Sequence, residues 1–174
     1  MKSNSRLILI RHGIKQWKNG HKPKYVQGFN HDPPLTAFQP VLINTKYQLI
    51  YMYGLPDKII CSPLLRCRQT AMILSQFSNK HIPIFVDELL RSSLGKWERK
   101  DVGISPDTLQ YITDNNLVET QSQFNNRVKQ ILNQTYIYEN VWIVTHSSVI
   151  SELTKIFNII KRHPKEGNFI TISK

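Results

Sequence analysis

The segment that most constrains the fold is a short apolar run ending in three functional residues, Leu7-Ile8-Leu9-Ile10-Arg11-His12-Gly13. Four consecutive apolar residues are typical of a strand buried on both faces of a parallel sheet. Side chains that follow such a strand lie at the carboxyl edge of the sheet, where open α/β folds bind ligands. Arg11 offers a fixed fork of hydrogen-bond donors, and a neutral His12 can attack phosphorus. The segment predicts a phosphate site, although an ordinary polar strand end is an alternative that it leaves open by itself.

Alternating strand-like and helix-like segments extend this prediction along the chain. Strands are predicted at 7–10, 58–61, 82–86, 141–144 and 169–172, and helices at 36–53, 63–77, 120–138 and 147–160. Thr36 and Ser62 are the predicted N-caps of the first two helices, with Pro63 at the first helical position. We therefore expect an α/β fold of three layers. A mostly parallel central sheet has helices on both faces and a C-terminal edge strand, all within a single domain over residues 1–174.

Composition and charge narrow the class of protein. Apolar residues make up 40% and charged residues 20% of the 174 residues, and no apolar run approaches the roughly 20 residues of a membrane span. The first apolar run is too short for a signal peptide, and two cysteines, Cys61 and Cys67, do not indicate a disulfide framework. These features favour an intracellular protein that does not bind membranes, with cytoplasm and nucleus both open.

The net charge of +11 arises from 23 basic and 12 acidic residues. Residues 1–31 contain seven Lys or Arg and no acid. A phosphate pocket explains part of this excess, because a positive field concentrates anions. Contact with an acidic protein or a nucleic acid is an open alternative. The lysines are spread singly, however, so a solvated basic surface is the preferred explanation.

Three further segments carry motifs that accompany the opening one. They are Asp32-Pro33-Pro34-Leu35-Thr36, which follows Gln27-Gly28, then Ser62-Pro63-Leu64-Leu65-Arg66-Cys67-Arg68-Gln69-Thr70-Ala71, and Val144-Thr145-His146-Ser147-Ser148. Together with Arg-His-Gly they resemble the histidine phosphatase superfamily, the phosphoglycerate-mutase-like proteins, from about Leu7 to about Leu153. The Asp-Pro-Pro-Leu-Thr and Ser-Pro-x-x-Arg-Cys motifs most resemble those of one branch of this superfamily. That branch includes ubiquitin-associated phosphatase-like regulators and the phosphatase-like subunit of fungal transcription factor IIIC.

The resemblance implies a role for each matching residue. His12 matches the histidine that takes the phosphoryl group before water removes it. Arg11 and Arg66 match the arginines that clamp the phosphate, and His146 matches the second histidine. Gln27 and Gly28 resemble a loop that lines the phosphate side of the pocket. No cofactor or metal is expected, because no carboxylate cluster accompanies the scattered histidines.

One departure from the family pattern affects catalysis. The glutamate that usually protonates the leaving group corresponds here to Arg91 or Ser92, and neither is a general acid at neutral pH. Glu88 is the candidate replacement, with Asp87 beside it as a further possibility. A missing acid costs about 10²–10⁴-fold in rate for a poor leaving group and little for a good one. Gln39 also replaces a family glycine after the first helix start.

The leading functional hypothesis is a phosphomonoester hydrolase that acts through phosphohistidine on a phosphorylated small molecule or a phosphoprotein. The short segment at 96–119 predicts a sparse lid, which favours hydrolysis over the mutase reaction. The alternative is a catalytically weak or inactive phosphatase-like interaction subunit, for example of a transcription factor IIIC-like complex.

Overall fold

A five-stranded sheet forms the centre of the fold. The computed structural model describes residues 6–16, 32–76, 80–92, 119–133, 135, 140–159 and 163–173. Its strands are β1 (Arg6–Arg11), β2 (Lys58–Cys61), β3 (Ile84–Val86), β4 (Asn140–Thr145) and β5 (Phe169–Ser173). Their order is β3-β2-β4-β1-β5, and every neighbouring pair is parallel except β1 with β5. The predicted mostly parallel sheet with a C-terminal edge strand is therefore confirmed, and the structure adds that this edge strand runs antiparallel to β1.

Helices cover both faces of this sheet. They are α1 (Pro40–Tyr53), α2 (Leu65–Ser75), α3 (Gln121–Asn133) and α4 (Ser147–Ile156), with a 3-10 turn at Glu88–Leu90. Side chains of a strand alternate between faces. Leu7 and Leu9 accordingly pack with residues of α3 and α4, whereas Ile8 and Ile10 pack with residues of α1 and α2. The predicted three-layer α/β sandwich is confirmed by these two apolar clusters.

Both predicted N-caps are wrong. α1 begins at Pro40 with Gln39 in the N-cap position, and the Thr36 hydroxyl donates to the Phe38 carbonyl instead. α2 begins at Leu65, so Pro63 precedes the helix. The hydroxyl of Ser62 lies 2.9 Å from a ring nitrogen of His146. A serine that follows a strand can cap the next helix or hydrogen-bond a residue at a neighbouring strand end. Here Ser62 does the second, because it contacts His146 after β4.

Other sequence predictions have mixed outcomes in the described residues. Cys61 and Cys67 are free, buried thiols, and burial raises the pKa of Cys61 to about 11. No helix in the described part of the chain is long and apolar enough to cross a membrane. The predicted phosphate-side loop at Gln27 and Gly28 and nearly all of the predicted lid at 96–119 lie outside the described residues.

Candidate active site

Three strands end side by side and bring three polar residues together. His12 follows β1, His146 follows β4 and Ser62 follows β2. The ladder continues one step past the strands, because the His12 N–H donates to the Thr145 carbonyl and the Ser62 N–H donates to the Val144 carbonyl, each at 3.0 Å. The strand register therefore places these side chains at one carboxyl edge, where parallel α/β sheets bind ligands.

The two histidine rings form the interior of the site. Their centroids lie 5.4 Å apart, with the ring planes tilted by 58°. Both side chains are buried, and burial lowers the pKa of His12 and of His146 well below the usual value of 6.5. The nearby Arg66 guanidinium lowers both pKa values further. Both imidazoles are therefore neutral at neutral pH.

A backbone carbonyl fixes the tautomer of His12. Its Nδ1 lies 2.8 Å from the Gly13 carbonyl oxygen, which can only accept a hydrogen bond. The proton of the neutral ring is consequently on Nδ1, and the lone pair is on Nε2. The Gly13 N–H donates to the Thr70 hydroxyl of α2 at 3.0 Å, and the Ile14 N–H, in the same peptide unit as the Gly13 carbonyl, donates to Gln39 at 3.0 Å. The loop thus presents a neutral nucleophilic nitrogen.

Arg66 lies in the first turn of α2 and joins His146 to a carboxylate. Its Nη2 donates to Nδ1 of His146 at 3.3 Å, and its Nη1 donates to Asp32 at 3.1 Å. The second oxygen of Asp32 accepts from the Leu65 N–H, so Asp32 also caps α2. The Nε–H of Arg66 is buried and has no hydrogen-bond partner in the described residues. An oxyanion beside this guanidinium would satisfy that donor.

A second group of cations, Arg11 and Lys15, lies beside Glu166. The Arg11 Nη1 donates to the Pro164 carbonyl at 3.2 Å, and its Nη2 lies 3.7 Å from Glu166. The Nζ of Lys15 lies 3.6 Å from the same carboxylate oxygen. Lys15 is only 7% exposed, and its charge helps to lower the pKa of His12. Arg11, Lys15 and Arg66 therefore surround the histidines with positive charge.

The predicted general acid, Glu88, lies in an ion pair. Glu88 begins the 3-10 turn, is 69% exposed and forms an ion pair with Nε of Arg91. Asp87 accepts a hydrogen bond from a backbone N–H of the turn at 2.9 Å. The Thr145 hydroxyl donates at 2.8 Å to the carbonyl of the last residue of the turn, which ties it to β4. Glu88 is thus paired with Arg91, whereas Asp87 is engaged through Oδ1 only, and its Oδ2 is buried with no hydrogen-bond partner in the described residues.

The Gln39 side chain holds the loop that follows His12. Its Nε2 donates to the Ile14 carbonyl at 2.8 Å, and its Oε1 accepts from the Ile14 N–H at 3.0 Å. A Cβ atom on Gly13 would lie 2.5 Å from Oε1, so only glycine fits beneath this amide. The Gln39 side chain therefore joins the loop after His12 to the segment before α1 through hydrogen bonds to Ile14 and Thr36.

The structure brings together most of the predicted site and adds residues that the sequence analysis missed. His12, Arg11, Arg66 and His146 lie at one edge, whereas Gln27 and Gly28 are outside the described residues. Sequence reasoning missed five contributors: Lys15, Asp32, Gln39, Glu166 and Ser62 as a side-chain partner of His146. Lys15 had a signal in the acid-free N-terminal stretch. No group of three or more His, Cys, Asp or Glu among the described residues could hold a metal ion.

The fold and this cationic, histidine-containing edge define an α/β protein built to handle oxyanions. The chain belongs to the histidine phosphatase superfamily (branch 1), whose model matches residues 7–166. No curated protein matches the chain.

Solved structures share the fold at low identity. Bacillus stearothermophilus YhfR has a TM-score of 0.68 at 22% identity, with 97% of this chain and 91% of that chain covered. The alpha-ribazole phosphatase of Shigella flexneri has a TM-score of 0.67 at 22% identity, with 97% and 90% covered. A mycobacterial glucosyl-3-phosphoglycerate phosphatase has a TM-score of 0.67 at 18% identity, with 97% and 91% covered. At these identities the similarity establishes the fold.

Removing the Gln39 hydrogen bonds is expected to lower the free energy of unfolding, because they hold the loop after His12. Gln39→Ala leaves the Ile14 N–H without its acceptor, which costs about 1–2 kcal/mol in the free energy of unfolding. Gln39→Glu keeps an acceptor for that N–H but buries a carboxylate oxygen against the carbonyl oxygens of Ile14 and Thr36, to which the amide now donates, so its loss is larger. Urea unfolding of the three proteins measures this order. Equal stability of wild type and Gln39→Ala would show that these hydrogen bonds contribute nothing.

The lowered histidine pKa values predict a pH-dependent stability. Between the folded pKa and about 6.5, the unfolded chain binds more protons than the folded chain. The stability that the neutral histidines contribute is therefore fully present above about pH 6.5 and is lost as the pH falls below it. From about pH 7.5 to about pH 5.5 the loss is about 1 kcal/mol for each histidine. Urea unfolding at the two pH values measures this loss. A His12→Asn/His146→Asn double variant should lose less free energy of unfolding than wild type between them. An equal loss would contradict the lowered pKa values.

Proposed function

We propose that the chain hydrolyses phosphate monoesters through a phosphohistidine formed on His12. The observation that carries this proposal is the neutral His12 ring, whose Nδ1 is bonded to the Gly13 carbonyl and whose Nε2 therefore holds the lone pair. An unprotonated imidazole nitrogen is a competent nucleophile. Membership of the histidine phosphatase superfamily supports the same reaction class.

Positive charge around His12 supports binding of the transferring group. Phosphoryl transfer depends mainly on alignment and on neutralising charge at the equatorial oxygens. The buried Nε–H of Arg66 supplies a donor for one oxygen, and Arg11 and Lys15 add positive charge that acts on His12. In the first step the bond from phosphorus to the leaving oxygen breaks as the bond to Nε2 forms. Water then attacks phosphorus, which releases inorganic phosphate and restores the lone pair of His12.

The placement of the two candidate carboxylates favours substrates with good leaving groups. Glu88 is bound to Arg91, whereas Asp87 accepts from the turn backbone through Oδ1 and leaves Oδ2 buried without a partner among the described residues. No hydrogen bond or ion pair in the described residues links either carboxylate to the two histidines, so neither is poised to donate a proton there. The leaving groups of acyl phosphates, phosphohistidine and activated aryl esters depart without protonation, whereas those of alkyl phosphates need a proton. We therefore infer a substrate of the first kind, carried by a small molecule or by a protein.

Hydrolysis rates across a series of phosphate esters test this function. Wild type should hydrolyse aryl phosphates with rates that fall steeply as the leaving group becomes more basic, because no acid assists it. His12→Ala should lose at least about 10³-fold in kcat/KM, since the nucleophile is gone. Glu88→Gln should match wild type over the series.

Two controls separate the possible outcomes. Met72→Ala changes an exposed side chain of α2 and should retain full activity. Unchanged hydrolysis by His12→Ala would refute the phosphohistidine mechanism. A shallow leaving-group dependence that steepens in Glu88→Gln would instead identify Glu88 as the general acid.

A second candidate function is that of a phosphatase-like interaction subunit, as in the transcription factor IIIC-like branch. The observation that favours it is the Arg91–Glu88 ion pair at the position of the usual acid, together with the net charge of +11. Such a subunit would use its basic surface on an acidic protein or a nucleic acid. Vanadate binding without turnover of aryl phosphate, acyl phosphate or phosphohistidine would favour this function.

A further inference from the structure

The hydrogen bonds of His146 fix its tautomer in the phosphate-free site. A guanidinium can only donate, so Nδ1 of His146 accepts from Arg66 and carries no proton. The proton of the neutral ring is then on Nε2, which points to the Ser62 hydroxyl at 2.9 Å. The thiol of Cys67 lies farther from Nε2, at 3.6 Å, and is a weaker partner.

A bound phosphate requires the opposite arrangement. Nε2 is enclosed by Ser62 and Cys67, so the ring nitrogen available to a ligand is Nδ1, beside the Arg66 guanidinium. The oxygens of a phosphate dianion only accept hydrogen bonds, so a nitrogen that contacts them must carry a proton. Two changes achieve this: the ring gains a second proton, or its single proton moves from Nε2 to Nδ1.

The surroundings favour the second change. His146 is buried, and Arg66, Lys15 and Arg11 all oppose a further positive charge on its ring. Moving the proton needs a partner at Nε2 that can accept a hydrogen bond before phosphate binds and donate one afterwards. A hydroxyl does both, because it has one O–H and two lone pairs. Ser62 is fully buried against the ring and meets this requirement.

We propose that Ser62 is a positioning residue whose hydroxyl reverses its hydrogen bond to His146 when phosphate binds, so that Nδ1 becomes a donor to the phosphate. Nε2 releases one proton to solvent and Nδ1 takes one up, so the ring remains neutral. Arg66 is freed from Nδ1 in the same event and turns its Nη2 toward the anion. The proposal rests on the proposed function only in requiring that the site binds phosphate.

Nitrogen NMR of the full chain tests the reversal directly. In protein labelled with ¹⁵N-histidine, the signals of His146 are those that His146→Gln removes, and their shifts report which nitrogen is protonated. Without ligand, we expect the proton on Nε2. With saturating inorganic phosphate or vanadate, we expect the proton on Nδ1. A ring that keeps its Nε2 proton, or that carries both protons, with the anion bound would overturn the proposal.

Variants of Ser62 provide the second measurement. Ser62→Ala should not show the tautomer change, because no O–H remains to donate to Nε2 once its proton has left. It should bind inorganic phosphate about tenfold more weakly, because Nδ1 then has no proton to donate to the anion. Ser62→Thr keeps the hydroxyl and should restore both properties. Ser75→Ala, at the far end of α2, is the matched control and should bind like wild type. A tautomer change and an affinity that survive in Ser62→Ala would overturn the proposal.

The two levels of inference fail in different ways. If wild type binds neither phosphate nor vanadate, the proposed function fails and the role of Ser62 fails with it. If the anion binds and is hydrolysed from esters while His146 keeps one tautomer, only the role of Ser62 fails.

Discussion

The parallel pairing of β1 with β4 is the interaction on which the site depends. Its register sets Arg11 opposite Thr145, and one further hydrogen bond, from His12 to the Thr145 carbonyl, continues the ladder. A one-residue slip would turn every side chain to the other face of the sheet. Both faces of β1 are apolar, but leucines pack on one face and isoleucines on the other, so a slip would exchange side chains of different shape in two packed clusters. The two histidines therefore meet because the core holds the strands in register.

Electrostatics gives this edge its chemistry. Two buried neutral imidazoles lie among Arg11, Lys15 and Arg66, and the resident carboxylates Asp32 and Glu166 lie beside these cations. Burial and positive charge act together on the histidines, lowering each pKa and preserving the nucleophilic form. Burying cations close together is unfavourable unless anions accompany them. The pocket is thus arranged to gain from an incoming oxyanion.

Motif order and the alternation of strands and helices were enough to predict the sheet, its layers and the meeting of His12, Arg66 and His146. Both histidines follow strand ends that parallel pairing aligns, and Arg66 lies in the first turn of the helix after a third strand. Hydrogen-bond choices were not predictable. Ser62 could equally have capped α2, and only the packed position of His146 decides its partner. The pairing of Lys15 with Glu166 joins distant parts of the chain, so no local pattern reveals it. Each of these residues depends on tertiary contacts.

The central claim is that Nε2 of His12 takes up the phosphoryl group. The most direct test is mass spectrometry of the chain quenched in base during turnover of an aryl phosphate, since phosphohistidine survives base and is lost in acid. The account predicts one added phosphoryl group on the peptide that contains His12, labile to acid. A phosphoryl group on His146 or on Ser62, or turnover with no covalent intermediate on repeated trapping, would contradict it.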